Sequence, residues 1–109
     1  MNASYGFHAV MTARPGHGDA LVALLLEATA PGGPAANDDC VLYLVARSAS
    51  APEVVHVTEG WTSKAAHAEN FARPQSQAFV ARIAALVEGQ AEYHDVVPQG
   101  GVLRGQGAR

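Results

Sequence analysis

Cysteine is nearly absent from this chain. Cys40 stands alone among 109 residues, which excludes an intramolecular disulfide. A lone thiol suits a reducing compartment, and the cytoplasm is the expected location. Charge is sparse as well: 16% of residues are charged, the net charge is −3, and the seven basic residues are scattered rather than gathered in a stripe. Nucleic acid and anionic membranes are therefore poor candidate partners. No run approaches the roughly 18 apolar residues that a membrane span needs. The opening stretch MNASYGFHAV has neither the basic region nor the long apolar segment of a secretory signal. Five histidines are present, yet none lies in an H-E-x-x-H or paired-cysteine pattern, so no metal site is expected.

What is present fits one globular domain. Apolar residues make up 49% of the chain, with Ala a large share of them. A chain of this length buries roughly 65% of its unfolded surface, enough for a real but modest core. Residues 1–97 carry the structured pattern. Residues 98–109, PQGGVLRGQGAR, read as a Gly-rich tail, loose unless a partner subunit ties it down.

Tyr5 to Ala13 alternates small and large apolar residues and predicts a first strand. Arg14-Pro15-Gly16 is a turn, after which Gly18 or Asp19 caps a helix running to about Thr29 with Leu21, Leu24, Leu25 and Ala28 on its buried stripe. Pro31-Gly32-Gly33-Pro34 stops that helix. Strands follow at Cys40–Arg47 and Val54–Trp61, joined as a hairpin by the polar turn Ser48 to Glu53. Thr62 or Ser63 caps a short helix ending near Ala72. Pro74 suits the first turn of a further helix to about Glu88, burying Phe79, Ile83, Leu86 and Val87, with Gly89 as its C-cap. Ala91 to Val97 makes a fourth strand. This order is α+β, and its natural solution is one antiparallel sheet with the helices on a single face. The uncovered face then calls for a partner, most simply a second copy related by a two-fold axis.

Strand side chains repeat with period two, so Val55, Val57, Glu59 and Trp61 share one face. From Thr62 the spacing becomes helical, which sets His67, Asn70 and Phe71 together just past the indole. Trp61, Phe71 and Phe79 can sandwich a planar ring, with Phe7, Tyr43 and Val57 completing the wall and Tyr43 offering a phenolic hydrogen bond. His67 has the intrinsic pKa of a base near neutrality, and Asn70 can hydrogen-bond a developing oxyanion. The plainer alternative leaves His67 on the solvent side of an Ala-rich helix and Trp61 as core. Glu59 reads as structural, bound to a neighbouring backbone or to Arg82, and Cys40 as an inert small hydrophobe. His8, His56 and His94 fall opposite the Trp61 face. They read as imidazoles satisfied by polar neighbours or water, with a metal site or a pH-sensitive seam as alternatives.

Several of these residues lie in a recognisable order. Arg14-Pro15-Gly16 after the first strand, Cys40-x-x-Tyr43 in the second, Glu59-x-Trp61 closing the third and the following helix with Pro74 resemble the antibiotic biosynthesis monooxygenase-like family over residues 5 to 97. The resemblance implies ferredoxin-like β-α-β-β-α-β subunits that pair into a dimeric α+β barrel. It also implies oxygenation by O2 of a small aromatic (a quinol, anthrone or related polyketide phenol), often with no flavin, metal or haem. Catalytic roles then fall to Trp61, His67 and Asn70, and substrate contacts to Phe7, Tyr43, Val57, Phe71 and Phe79. Many quinol-oxidising members carry His at the position of Asn70 and a Pro-His pair at Pro74-Gln75, whereas Asn resembles the anthrone oxygenases. In those members Tyr often stands at the position of His67 and a strand Asn at that of Val57. Haem degradation, another activity in the family, calls for a proximal His on the last long helix, and Gln75 to Glu88 contains none. A dimeric accessory protein that binds an aromatic metabolite without converting it uses the same pocket residues.

Overall fold

In a computed structural model the described residues are 2–102 and 104. The elements run β1 (Tyr5–Thr12), α1 (Gly18–Glu27), β2 (Cys40–Arg47), β3 (Val54–Trp61), α2 (Lys64–Phe71), α3 (Pro74–Leu86) and β4 (Glu92–Val96). The strands form one antiparallel sheet in the order β2-β3-β1-β4, a ferredoxin-like α+β arrangement. The register sets Phe7 opposite Glu59, Ala9 opposite Val57 and Tyr93, and Tyr43 opposite Glu59. Directly opposed residues share a face, so all of these point to the same side. On that side Phe7, Ala9, Met11, Val55 and Val57 pack with Leu21 and Leu25 of α1 into the core. Each of these side chains other than Ala9 contributes about 1.5–3 kcal/mol by leaving water.

The helix boundaries follow local chemistry, with three departures from the sequence expectation. Neither Gly18 nor Asp19 caps α1. Its N-cap is His17, which makes no side-chain cap bond, and the Glu53 carboxylate accepts from the N–H groups of Gly16 and Gly18 at 2.5 and 3.0 Å. The capping acid thus comes from the β2–β3 turn, 35 residues away, which spacing rules cannot see. Asp19 instead pairs with Arg47 at 2.6 Å. Ser63 does cap α2, accepting from the Ala66 N–H at 3.0 Å, and Pro74 opens α3 as expected. The third helix ends at Leu86 rather than Glu88, because Val87 turns extended and bridges to Ala13. Gly89, with φ of 71°, serves the turn that follows and is not the helix cap.

The far side of the sheet carries Leu44, 51% exposed, and Val96, 42% exposed. His8 and His56 meet there: His8 Nε2 lies 3.1 Å from His56 Nδ1, and His8 Nδ1 lies 2.9 Å from the Thr58 hydroxyl. His94 is opposite His8 in the register but exposed, with Nε2 3.8 Å from Glu92. Only two of the three imidazoles therefore bond. Among the described residues no group of three His, Cys, Asp or Glu side chains is arranged to hold a metal ion. No helix among them is long and apolar enough to cross a membrane. Residues 98–102 and 104 have no regular structure, and the rest of the tail lies outside the described residues.

Candidate functional site

The helices do not close tightly on the sheet. Phe79 and Ile83 of α3 are only half-buried because they face a cavity of about 380 Å³. Its floor is sheet: Tyr5, Phe7, Ala9 and Met11 from β1, Tyr43 from β2, Val57, Glu59 and Trp61 from β3, and Tyr93 and Asp95 from β4. Helix α2 brings His67, Asn70 and Phe71, and α3 brings Ser76, Phe79, Val80 and Ile83. All eight residues singled out from the sequence, Phe7, Tyr43, Val57, Trp61, His67, Asn70, Phe71 and Phe79, line this one cavity.

His67 sits within an aromatic cage. Its ring centroid lies 5.2 Å from those of Phe7 and Trp61, in edge-on contacts, 5.5 Å from Tyr5 and 6.0 Å from Phe71, which it stacks upon. It therefore turns inward and not to bulk solvent. Burial among these rings lowers its pKa, opposed in part by the Asp95 carboxylate. A neutral imidazole near pH 7 results, free to accept a proton.

Asn70 is buried, and most of its amide is already engaged. Its Oδ1 accepts from Asn37 Nδ2 at 3.1 Å, and its Nδ2 donates to the Pro34 carbonyl at 2.9 Å. One amide N–H remains for a ligand. The side chain thus fastens the 28–39 segment over the site. Gly33 permits that path, because any Cβ there would strike the Ala28 backbone. Tyr43 departs from its expected part: its hydroxyl donates to the Leu25 carbonyl at 2.9 Å, which leaves its ring as the cavity wall.

Glu59 finds neither of the partners expected for it. Arg82 is not its partner; that guanidinium pairs with Glu27 at 3.1 Å. The Glu59 carboxylate faces the cavity and accepts one hydrogen bond, from Trp61 Nε1 at 2.8 Å. Burial pushes its carboxyl up to about 7, with the indole N–H pulling slightly the other way. Ser76 is buried with a hydroxyl that meets no hydrogen-bond partner among the described residues. Tyr5 donates to Asp95 at 3.2 Å at the β1–β4 side of the cavity. Tyr93 and Asp95 were accessible to sequence reasoning, since placing His94 on the far face places its neighbours on the near one. The Cys40 thiol is pushed up to about 12 by burial, as an inert thiol should be.

A profile of the antibiotic biosynthesis monooxygenase family matches residues 4–82. The chain belongs to that family. A candidate antibiotic biosynthesis monooxygenase from Chloroflexus aurantiacus J-10-fl is 32% identical, with 94% of this chain and 100% of that one covered and a TM-score of 0.80. Candidate monooxygenases of the same description from Deinococcus radiodurans and Caulobacter crescentus CB15 are 22% and 18% identical. They cover 91% of this chain, and 96% and 92% of their own, with TM-scores of 0.75 and 0.78, and they speak for the shared fold alone. No match was found among the curated proteins.

Proposed function

We propose that this family member is a cofactor-independent monooxygenase that oxidises a planar phenol, anthrone or hydroquinone with O2 in the cytoplasm. The observation that carries this reading is a neutral imidazole set among aromatic rings inside a cavity of about 380 Å³. Oxygenation without a cofactor needs a substrate whose conjugate base can give an electron to dioxygen. The protein must take a proton, hold the anion away from water and admit O2. In this reading His67 takes the proton, the free amide N–H of Asn70 bonds the oxyanion, and Trp61 and Phe71 hold the ring.

Metal-stripped protein, incubated with anthrone and hydroquinone panels, is expected to consume oxygen in the presence of chelator. His67→Ala should lower that rate at least about tenfold, the usual scale for losing a general base. Tight binding of the same compounds with no oxygen uptake would replace this reading with that of an accessory protein that only carries an aromatic metabolite.

The far face of the sheet is read as a dimer seam. Leu44 and Val96 are exposed there, beside the hydrogen-bonded His8, His56 and Thr58 side chains, and a C2 interface is self-complementary in this manner. Sedimentation should show a dimer at micromolar concentration and a monomer for Leu44→Asp, which would bring two carboxylates to the seam. A wild-type monomer would remove the barrel from the proposal.

A further inference from the structure

Glu59 is the one carboxyl side chain on β3, between the core and the indole, and among the described residues it has no basic partner. Its bonding geometry leaves one oxygen held by Trp61 Nε1 at 2.8 Å and the other side open to the cavity. The tyrosine opposite it in the register, Tyr43, directs its hydroxyl to Leu25 instead. The neighbouring carboxylate, Asp95, is held by Tyr5. A carboxyl so isolated, facing apolar walls, keeps its proton up to about pH 7, and in that form it can donate into the cavity while still accepting from the indole. His67 lies against the same indole, 5.2 Å from ring centroid to ring centroid. Base and acid thus both contact one indole.

We propose that Glu59 is the acid of this cavity: its carboxyl proton goes to the oxygen of the bound aromatic or of the peroxide formed on it, and so lets water leave. This rests on the oxygenase reading above. The chemistry requires such a group. Converting a diaryl methylene and O2 to a ketone and water takes four electrons from carbon and gives four to dioxygen, while two protons travel from carbon to the departing oxygen. His67 accepts the first proton. The carbanion's electrons pass to O2, a C–O bond forms, and Glu59 protonates the terminal oxygen of the peroxide anion. The carboxylate then removes the second C–H proton as the O–O bond breaks, and the hydroxide departs as water with the proton held by His67. Both groups return to their starting states. Opposite shifts in two titrating neighbours are how such assignments are made: burial raises Glu59 to about 7 and lowers His67. The other ionisable groups facing this space are Tyr5, Tyr43, Tyr93 and Asp95.

Trp61 is the sole tryptophan and bonds Glu59 directly, so its fluorescence reports that carboxyl without any turnover. The wild-type protein should show an emission change with a midpoint near pH 7. The change should persist in His67→Phe and vanish in Glu59→Gln, with circular dichroism confirming that both are folded. Binding of 1,4-naphthoquinone, followed by quenching of the same indole, should weaken at least about threefold from pH 6 to 8.5 in wild type as the donor is lost, and should not vary in Glu59→Gln. In a protein that takes up oxygen, Glu59→Gln should remove the fall in kcat above pH 7 and release hydrogen peroxide or organic hydroperoxide. A flat fluorescence titration together with pH-independent quinone binding in wild type would overturn the assignment. A protein that titrates and binds in this way yet consumes no oxygen would leave Glu59 as the ligand's hydrogen-bond donor and overturn its part in oxygen chemistry along with the oxygenase reading.

Discussion

Trp61→Ala is expected to lose about 3–5 kcal/mol of stability in urea unfolding followed by circular dichroism, the range for removing a large aromatic from a packed site. The indole is 2% exposed and closes β3 between the core and the cavity. Its removal would leave Glu59 without its hydrogen bond, a further cost for a buried polar group. A domain of this size has about 5–15 kcal/mol in total, so the variant should sit near the margin of folding at 37 °C. Trp61→Phe keeps most of the ring and loses the N–H, and should cost about 1–2 kcal/mol. If the alanine variant lost less than 1 kcal/mol, the indole would be a loose lid and not a structural wall.

The second large effect is on stability as a function of pH. Glu59 titrates near 7 in the folded protein against an ordinary value of 4.5. Between those values the native state binds more protons than the unfolded chain, so its contribution is complete below about pH 4.5 and is lost as pH rises through about 7. The gap corresponds to about 3 kcal/mol. His67, lowered by burial, slopes the other way below its ordinary value of 6.5, which is why the measurement must be a difference. The unfolding free energy of Glu59→Gln minus that of wild type should move by about 2.5 kcal/mol in favour of the variant between pH 5 and 8.5, most of the full gap. A difference that stays constant across that range would mean that water reaches the carboxylate and that it is ordinary.

Much of this was legible in the sequence because strands declare their faces. The alternation in VVHVTEGW separates Val55, Val57, Glu59 and Trp61 from His56, Thr58 and Gly60 without any knowledge of partners. The three- and four-residue spacing after Thr62 likewise places His67 beside Phe71. What the sequence could not supply is the fate of polar groups, which long-range pairing decides. Glu59 becomes isolated only because Arg82 is drawn to Glu27 and Tyr43 to Leu25. Asn70 becomes a fastening only because Asn37 and Pro34 come within reach. The cap of α1 comes from Glu53, across the fold. Hydrophobic periodicity is local information, and hydrogen-bond partnership is not.

Strand β3 carries core and candidate chemistry on a single alternating row, paired on both edges by β1 and β2. A slip of one residue would send Glu59 and Trp61 to the far face together with Val55 and Val57. Insertions and deletions within this strand are therefore closed to the lineage, since they would destroy folding at the same stroke as activity. New substrate preferences can arise there only by replacing one residue at a time. The 28–39 segment, tied down by Asn70 to Asn37 and Pro34 and by Thr62 to Asp39, is under no such alternation, and it is where descendants of this protein can change length and reshape the pocket while the sheet stays as it is.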